Sequence, residues 1–186
     1  MAIDDLIQDA QRRMDKSVEA AQTEFSTLRT GRASSALLDR IQIDYYGQQT
    51  PLKQLATINA PEPRLVTVQP FDPSSLPAIE RAIQESDLGL TPSNDGKVIR
   101  LPIPQLTEER RKELVKVVRH MAEEGRVAVR NVRRDVMHHL KDLVDKGEAG
   151  KDDEHRAEER VQKLTDEHTQ KIDELLKRKE AEILEV

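Results

Sequence analysis

Residues 107–146 read TEERRKELVKVVRHMAEEGRVAVRNVRRDVMHHLKDLVDK. Apolar residues recur every three or four positions from Leu114 to Leu143, which is the spacing of one face of an α-helix, and no proline interrupts them. Thr107 has a side chain of the kind that caps helix N-termini. The stretch therefore predicts a single long amphipathic helix from Thr107 to about Lys146.

The same spacing occurs on both sides of this stretch. Residues 3–28 carry apolar side chains at helical intervals without proline or glycine, and Gly31 is expected to end that helix. After a loop at 147–151, Asp152 or Asp153 is expected to cap a third helix. Its inner face is predicted to hold Ala157, Val161, Leu164, His168, Ile172, Leu175, Lys179 and Ile183. These nearly heptad stripes predict a long antiparallel three-helix bundle with small crossing angles.

The segment between the first two helices has a different character. All nine prolines lie between Pro51 and Pro104, which excludes a long helix there. Residues 41–46 alternate with the two-residue period of a β-strand, and Gly47 begins a turn. Strands are predicted at 41–46, 64–69 and 97–103, and a short helix at 75–86. This segment is therefore predicted to be a small α/β domain.

The order of these elements predicts an α+β protein of two domains. Residues 1–30 and 106–186 would form the bundle, and residues 31–105 would form the inserted α/β domain. Both linkers leave the bundle at the same end, so we expect an L-shaped molecule in which the inserted domain can swing as a unit. The predicted hinge residues are Thr30, Gly31, Arg32, Pro104 and Gln105.

The composition excludes several functional classes. The chain has no cysteine, so disulfides, thiolate zinc sites and cysteine nucleophiles are excluded. Aromatic residues make up 2% of the chain and the net charge is -5, which argues against base stacking and against a general coat for nucleic acid. No signal peptide, transit sequence or stretch of about 18 apolar residues is present. We therefore expect a soluble cytoplasmic protein whose RNA contacts come from a local basic patch.

Cations gather on one side of the long central helix. At about 100° per residue, they fall in a stripe that we call the basic stripe, opposite the apolar stripe centred on Met121, Val132 and Leu143. The basic stripe consists of Lys112, Arg119, Arg126, Arg130, Arg133 and Lys141, with Lys116 and Arg134 at its border. A solvated helix face is one interpretation. The other is a phosphate-binding surface, which the planar donor fork of arginine favours.

Catalytic sites are not indicated by the sequence. His138 and His139 are adjacent, so on a helix they point in directions about 100° apart and cannot chelate a metal together. His139 and His168 fall on inner stripes and are predicted to pack in the core or at its boundary. Motifs of the GxxxxGK, GxGxxG and GxSxG types are absent. We therefore expect a non-enzymatic protein without a metal.

Six ordered blocks of sequence carry a family resemblance. They are RTGRAS at 29–34, DYYG at 44–47, QLA at 54–56, SDLGL at 86–90, QLTEERRKEL at 105–114 and RVAVRNVRRD at 126–135. Together they resemble the bacterial ribosome recycling factors over essentially the whole chain. The third helix matches mainly as a pattern, through VQKLTD at 161–166.

The resemblance implies a translation factor. Members of this family bind the ribosome after termination and, with elongation factor G, split it into subunits for recycling. The GTP is hydrolysed by the elongation factor, so no cofactor is expected here. The bundle would lie on RNA of the large subunit, and the inserted domain would face the small subunit and elongation factor G. We expect the protein to act as a monomer.

The resemblance also assigns residues that contact ribosomal RNA. It implies Arg29, Gly31, Arg32, Arg111, Arg130 and Arg133. The basic stripe independently contains Arg130 and Arg133, and it adds Arg119 and Arg126. Arg111 lies off the stripe, so for this residue the two arguments disagree.

A second interpretation is a coiled-coil-like structural adaptor. Its basic stripe would then meet an acidic protein partner. A hydrophobic seam for such a partner would require apolar residues outside the core stripes, and only Val127 and Val129 are candidates.

Overall fold

The computed structural model of the chain describes residues 2–185. They divide into two compact units, one formed by residues 2–29 and 108–185 and the other by residues 30–107. The α-helices are α1 (Ile3–Ser26), α2 (Leu76–Glu85), α3 (Glu108–Asp145) and α4 (Lys151–Leu184). The predicted fold class, a three-helix bundle with a small α/β domain in the middle of the chain, is confirmed. Within residues 2–185, none of these helices is both long enough and apolar enough to cross a membrane.

The bundle consists of α1, α3 and α4, and each of these helices packs against the other two. Asp4 of α1 lies 3.0 Å from Arg160 of α4, and Asp15 lies 2.6 Å from His168. Because residue numbers rise together in these two pairs, α1 and α4 run in the same direction. The chain turns back between α3 and α4 at Gly147, which adopts a left-handed φ of +73°. α3 therefore runs antiparallel to both of its neighbours.

The three helices approach one another closely at Gly125 of α3. A Cβ atom placed on this residue would lie 3.2 Å from Ala21 Cβ of α1 and 3.2 Å from Ile172 Cδ1 of α4. Both neighbours are buried. A glycine inside a helix costs about 1 kcal/mol relative to alanine, and the close packing of three helices offsets this cost.

Two predicted helix ends are wrong. α1 ends at Ser26, before the predicted last residue Leu28, so Gly31 does not end it. The Ser26 and Thr27 hydroxyls donate to the carbonyls of Thr23 and Glu24, each at 2.6 Å. Such local bonds compete with the backbone hydrogen bonds that would continue the helix. α4 begins at Lys151 with Gly150 at its N-cap, so the two predicted aspartate caps lie inside the first turn. There their negative charges interact favourably with the positive end of the helix dipole.

The small domain contains two antiparallel sheets. The strands are β1 (Gln42–Tyr45), β2 (Gln48–Pro51), β3 (Ala56–Glu62), β4 (Leu65–Pro70), β5 (Ser93–Asn94) and β6 (Ile99–Pro102). β1 and β2 form a hairpin, and the other strands form a sheet in the order β3-β4-β6-β5. Short 3-10 turns lie at Ser35–Leu38, Leu52–Gln54 and Pro73–Ser75.

One face of the larger sheet forms the core of this domain. Val66 and Val68 of β4 are fully buried beside Ile99 and Leu101 of β6. α2 contributes Ile79 and Ile83, the hairpin contributes Ile43, and Leu38 and Leu52 complete the cluster. The strands predicted at 64–69 and 97–103 correspond to β4 and β6, whose residues alternate between the core and the solvent side.

Three strands were not predicted from the sequence. β2 reads QQTP and has no apolar alternation, and β5 is only two residues long. β3 contains Pro61, which is tolerated because β3 lies at an edge of its sheet and needs partners on one side only. The pairing of β3 with β4 also shifts register between Asn59 and Glu62.

The predicted inward position of His168 is confirmed. Its side chain is 2% exposed. Its Nδ1 lies 2.6 Å from the Leu164 carbonyl oxygen and its Nε2 lies 2.6 Å from Asp15 Oδ1. A buried polar ring is costly unless it is hydrogen-bonded, and these two acceptors hold the ring between α4 and α1.

Replacing Gly125 by valine tests the close approach of the helices. We expect Gly125→Val to lower the free energy of unfolding by about 1–3 kcal/mol, because the added methyl groups must displace packed atoms of two other helices. Urea denaturation followed by circular dichroism measures the change. Gly150→Ala is the control, since its Cβ would meet nothing closer than 3.6 Å. Equal destabilisation by both variants would contradict the packing argument.

Candidate nucleic-acid interface

The basic stripe borders the bundle core and does not lie opposite it. At about 100° per residue, the buried side of α3 is rotated by about 40° from the predicted apolar stripe, and the basic stripe lies only about 100° from its centre. The buried residues are Leu114, Val118, Ala122, Gly125, Val129, Val132, Val136 and Leu140. Val129 thus belongs to the core, whereas Val117 is exposed. The predicted position opposite the core is therefore wrong.

This rotation brings the basic stripe to the edge that faces α4. Arg119 Nε lies 2.7 Å from Glu180 Oε1, and Arg126 Nη1 lies 3.0 Å from Asp173 Oδ1. Both carboxylates belong to α4. The sequence of α3 contains few acids near the basic stripe. It could not reveal these partners, because they belong to α4.

Glu123 holds two arginines of the stripe from within α3. Arg126 Nε lies 3.1 Å from Glu123 Oε2, and Arg130 Nη2 lies 2.5 Å from Glu123 Oε1. Two hydrogen bonds lower the pKa of the Glu123 carboxyl below its usual value, and the one from Arg126 has a larger effect than the one from Arg130. The carboxylate is consequently ionised at neutral pH and partly neutralises the stripe at its centre.

The arginines of the stripe differ in accessibility. The side chain of Arg119 is 65% exposed and that of Arg130 is 47% exposed, whereas Arg126 is 23% exposed. Arg133 is half-buried and donates from Nη1 to Gln162 Oε1 at 2.6 Å. Its Nε is buried without a hydrogen-bond partner among the described residues. Arg130 and Arg133 are therefore not sealed inside the fold by ion pairs.

The lysines of the stripe lie toward its ends and face solvent. Lys112 is exposed and lies 3.2 Å from Glu108 Oε1 in the first turn of α3. Lys141 is also exposed, as are the border residues Lys116 and Arg134. The stripe thus presents cations along most of α3, with Arg119 and Arg130 as its accessible guanidinium groups.

The remaining predicted contacts lie outside the stripe. Arg29 and Arg32 are exposed. Arg111 is half-buried, and its Nε is buried without a hydrogen-bond partner in the part of the chain described. Arg111 lies on the core side of α3 because it is one turn before the buried Leu114. Arg111 is therefore placed to pack against the bundle core, whereas the exposed Arg130 is placed to contact a ligand.

Gly31 and Leu106 pack together within residues 30–107. Gly31 has a φ of +76°, and a Cβ atom there would lie 2.9 Å from Leu106 Cγ. Both the left-handed backbone and the close approach therefore require glycine. Leu106 directly follows Gln105, so the first predicted hinge segment packs against the residue next to the second one.

The residues next to both predicted hinge segments are hydrogen-bonded to the β3–β4 turn. The Ala33 N–H donates to the Pro63 carbonyl at 2.6 Å, and the Ile103 N–H donates to the Arg64 carbonyl at 2.8 Å. These bonds tie the chain just beyond each predicted hinge segment to the same turn of the small domain.

The described residues contain no cluster of three or more side chains suited to hold a metal ion. His138 is exposed and lies 3.7 Å from Asp142 Oδ2. His139 is 54% exposed and lies 3.6 Å from Asp135 Oδ1, so its predicted inward position is wrong. The same rotation of the buried side of α3 explains this error.

Comparisons with known proteins agree on one family. The family model described as ribosome recycling factor matches residues 21–184. A ribosome-recycling factor from Rubrobacter xylanophilus is 61% identical over 180 residues, which cover 97% of this chain and 97% of that protein.

Solved structures show the same likeness. A solution structure of a ribosome recycling factor matches with a TM-score of 0.75 and 44% identity, covering 100% of this chain and 99% of that one. A T. thermophilus ribosome recycling factor, in models with E. coli elongation factor G bound to the E. coli post-termination complex, matches with a TM-score of 0.65 and 48% identity, over 99% and 100% of the two chains. Because the family model matches residues 21–184 and the Rubrobacter relative is 61% identical, this chain belongs to the ribosome recycling factor family.

Proposed function

We propose that this protein binds the post-termination ribosome in the cytoplasm and, with elongation factor G, splits it into subunits. Family membership supports the recycling role, and the complex described for the T. thermophilus relative supports the two partners. In this proposal the elongation factor hydrolyses GTP, while this chain acts as a monomer, needs no cofactor and catalyses no step. The bundle binds RNA of the large subunit and the small domain contacts the small subunit.

The accessible guanidinium groups of α3 carry the RNA-binding part of the proposal. Arg119 and Arg130 are exposed, and their present partners are the half-buried carboxylate of Glu180 and the exposed carboxylate of Glu123. Surface ion pairs contribute only about 0.2–1 kcal/mol, so phosphate groups can replace Glu180 and Glu123 at small cost. Arginine then binds phosphate through two parallel hydrogen bonds. RNA binding would thus exchange intramolecular ion pairs for intermolecular ones.

Salt dependence gives a first measure of this exchange. If about five phosphates are neutralised, the logarithm of the binding constant should fall with the logarithm of salt concentration at a slope of about -3.5 to -4.5. Cosedimentation with purified large subunits at several salt concentrations measures this slope. A slope near zero would contradict phosphate binding.

Arg130→Ala tests the accessible arginine of the stripe. We expect it to weaken binding to the large subunit by about 1–3 kcal/mol, and Arg133→Ala to do the same if its half-buried side chain turns to RNA. Ribosome pelleting measures the affinity, and thermal unfolding checks that the variants fold. Arg12→Ala is the control, because Arg12 is an exposed, ion-paired arginine of α1 outside the stripe. Wild-type affinity for Arg130→Ala would refute the assignment.

Glu123→Gln should act in the opposite direction. Removing this carboxylate frees Arg130, leaves Arg126 paired with Asp173 only, and deletes a charge that repels phosphate. We therefore expect binding about two- to fivefold tighter at low salt. Glu124→Gln is the matched control, since it removes the same charge at the next position. The Glu124 side chain lies 3.0 Å from His120 and does not pair with an arginine of the basic stripe. Equal tightening by both variants would indicate a general charge effect and would contradict a specific role for Glu123.

Gly31→Ala tests the proposed hinge. The added methyl group would collide with Leu106 and would also be strained by the positive φ, so we expect slower subunit splitting with elongation factor G and a smaller change in ribosome binding. Gly89→Ala is the matched control, because Gly89 has a φ of +67° but open space around its Cβ position. Splitting measured by light scattering at the wild-type rate in Gly31→Ala would contradict a hinge at this residue.

A further inference from the structure

We propose that an exposed aromatic patch on the small domain is a docking surface for a basic protein segment. The aromatic patch consists of Tyr45, Tyr46 and Phe71 with the carboxylates of Asp44 and Asp72. This assignment does not depend on RNA binding by the bundle. It specifies a protein-binding surface on the small domain, for which the proposed function gives only a contact with the small subunit.

The fold brings the members of the patch together from two segments. The rings of Tyr45 and Tyr46 meet edge to face, with centroids 4.5 Å apart. The Tyr45 hydroxyl donates to Asp72 Oδ2 at 3.3 Å, which places the β1–β2 hairpin beside the residue that follows Phe71. The Phe71 N–H donates to the Leu55 carbonyl at 2.9 Å, so its backbone is also fixed.

The exposure of these rings is unusual for this protein. The chain has two tyrosines, two phenylalanines and no tryptophan, so three of its four aromatic residues lie in the patch. Tyr46 is 82% exposed and Phe71 is 66% exposed. Large rings left in water contribute little to a core, whereas tyrosine is enriched among the residues that dominate protein interfaces.

The backbone at Tyr46 argues that this ring is not there for folding. Tyr46 has a φ of +50° and Gly47 a φ of +82°, as in a two-residue hairpin turn with both central residues left-handed. Asparagine or glycine suits the first of these positions, and a bulky side chain there is strained. Tyr46 is the only non-glycine residue with positive φ among residues 2–185. No burial of its ring offsets that strain, so an external partner is the better explanation.

The charges around the patch select the partner. Arg40, Lys53 and Arg64 border the two segments in sequence, but residues 41–52 and 65–79 themselves contain no lysine or arginine. Within them Asp44 is exposed and Asp72 accepts a hydrogen bond from Tyr45. Hydrogen bonds from the Ser74 hydroxyl and N–H lower the pKa of Asp72, so its charge is retained at neutral pH. Carboxylates beside the rings repel phosphate and attract cations, and arginine or lysine can also stack on an aromatic face. A basic protein segment therefore fits better than RNA.

The two tyrosines make the patch directly observable. Because Tyr45 and Tyr46 are the only tyrosines and the chain has no tryptophan, intrinsic tyrosine fluorescence of the full chain reports on the patch alone. We expect a peptide of alternating arginine and glycine to change this fluorescence in a saturable manner. A peptide with glutamate in place of arginine should have no effect. A response to oligoadenylate RNA in place of the basic peptide would overturn the proposal.

Tyr46→Asn separates folding from binding. Asparagine suits the turn, so we expect unchanged or higher thermal stability together with binding of the basic peptide weakened by about two- to fivefold. Phe71→Ala should weaken binding similarly, while Val127→Ala, which removes an exposed apolar side chain of the bundle, should leave it unchanged. Equal peptide affinity in the wild type and Tyr46→Asn would overturn the proposal. Arg130→Ala should retain peptide binding, so a loss of RNA binding by the bundle can be distinguished from a loss of peptide binding by the aromatic patch.

Discussion

The close approach of three helices at Gly125 fixes the arrangement on which the bundle surface depends. Ala21 and Ile172 contact this position from α1 and α4, so the side of α3 that carries Gly125 faces both helices. That orientation buries Val129 and turns Arg126 and Arg133 toward α4. The packing of small and apolar side chains thereby decides which cations meet acids of the neighbouring helix.

The surface that results is a row of cations with built-in counter-ions. Glu123 and residues of α4 keep the guanidinium groups ordered in the free protein, and these contacts are weak enough to be exchanged for phosphate. An arginine that is already oriented loses less side-chain entropy when it binds, so under the proposed function this order would favour binding to folded RNA.

The small domain shows a different relation between sequence and structure. Its helix and its two central strands, β4 and β6, follow from periodicity, because one side of each is fully buried. β2, β3 and β5 lie at edges or in a hairpin, where polar residues and Pro61 are tolerated and the apolar pattern is weak. Tyr46 occupies a turn position that its own backbone preference disfavours. Under the proposal made above, Tyr46 occupies this position because its ring contacts a partner outside the fold.

The sequence by itself determined the three long helices, the interruption between the first two, the inward position of His168 and the family likeness. These features depend on local periodicity, on the positions of proline and on ordered motifs, all of which are readable along one chain. Tertiary structure decided the rotation of α3, the exposure of His139 and the pairing of Arg119 with Glu180. Those contacts depend on the register between helices, which packing at Gly125 fixes and which no single-helix pattern contains.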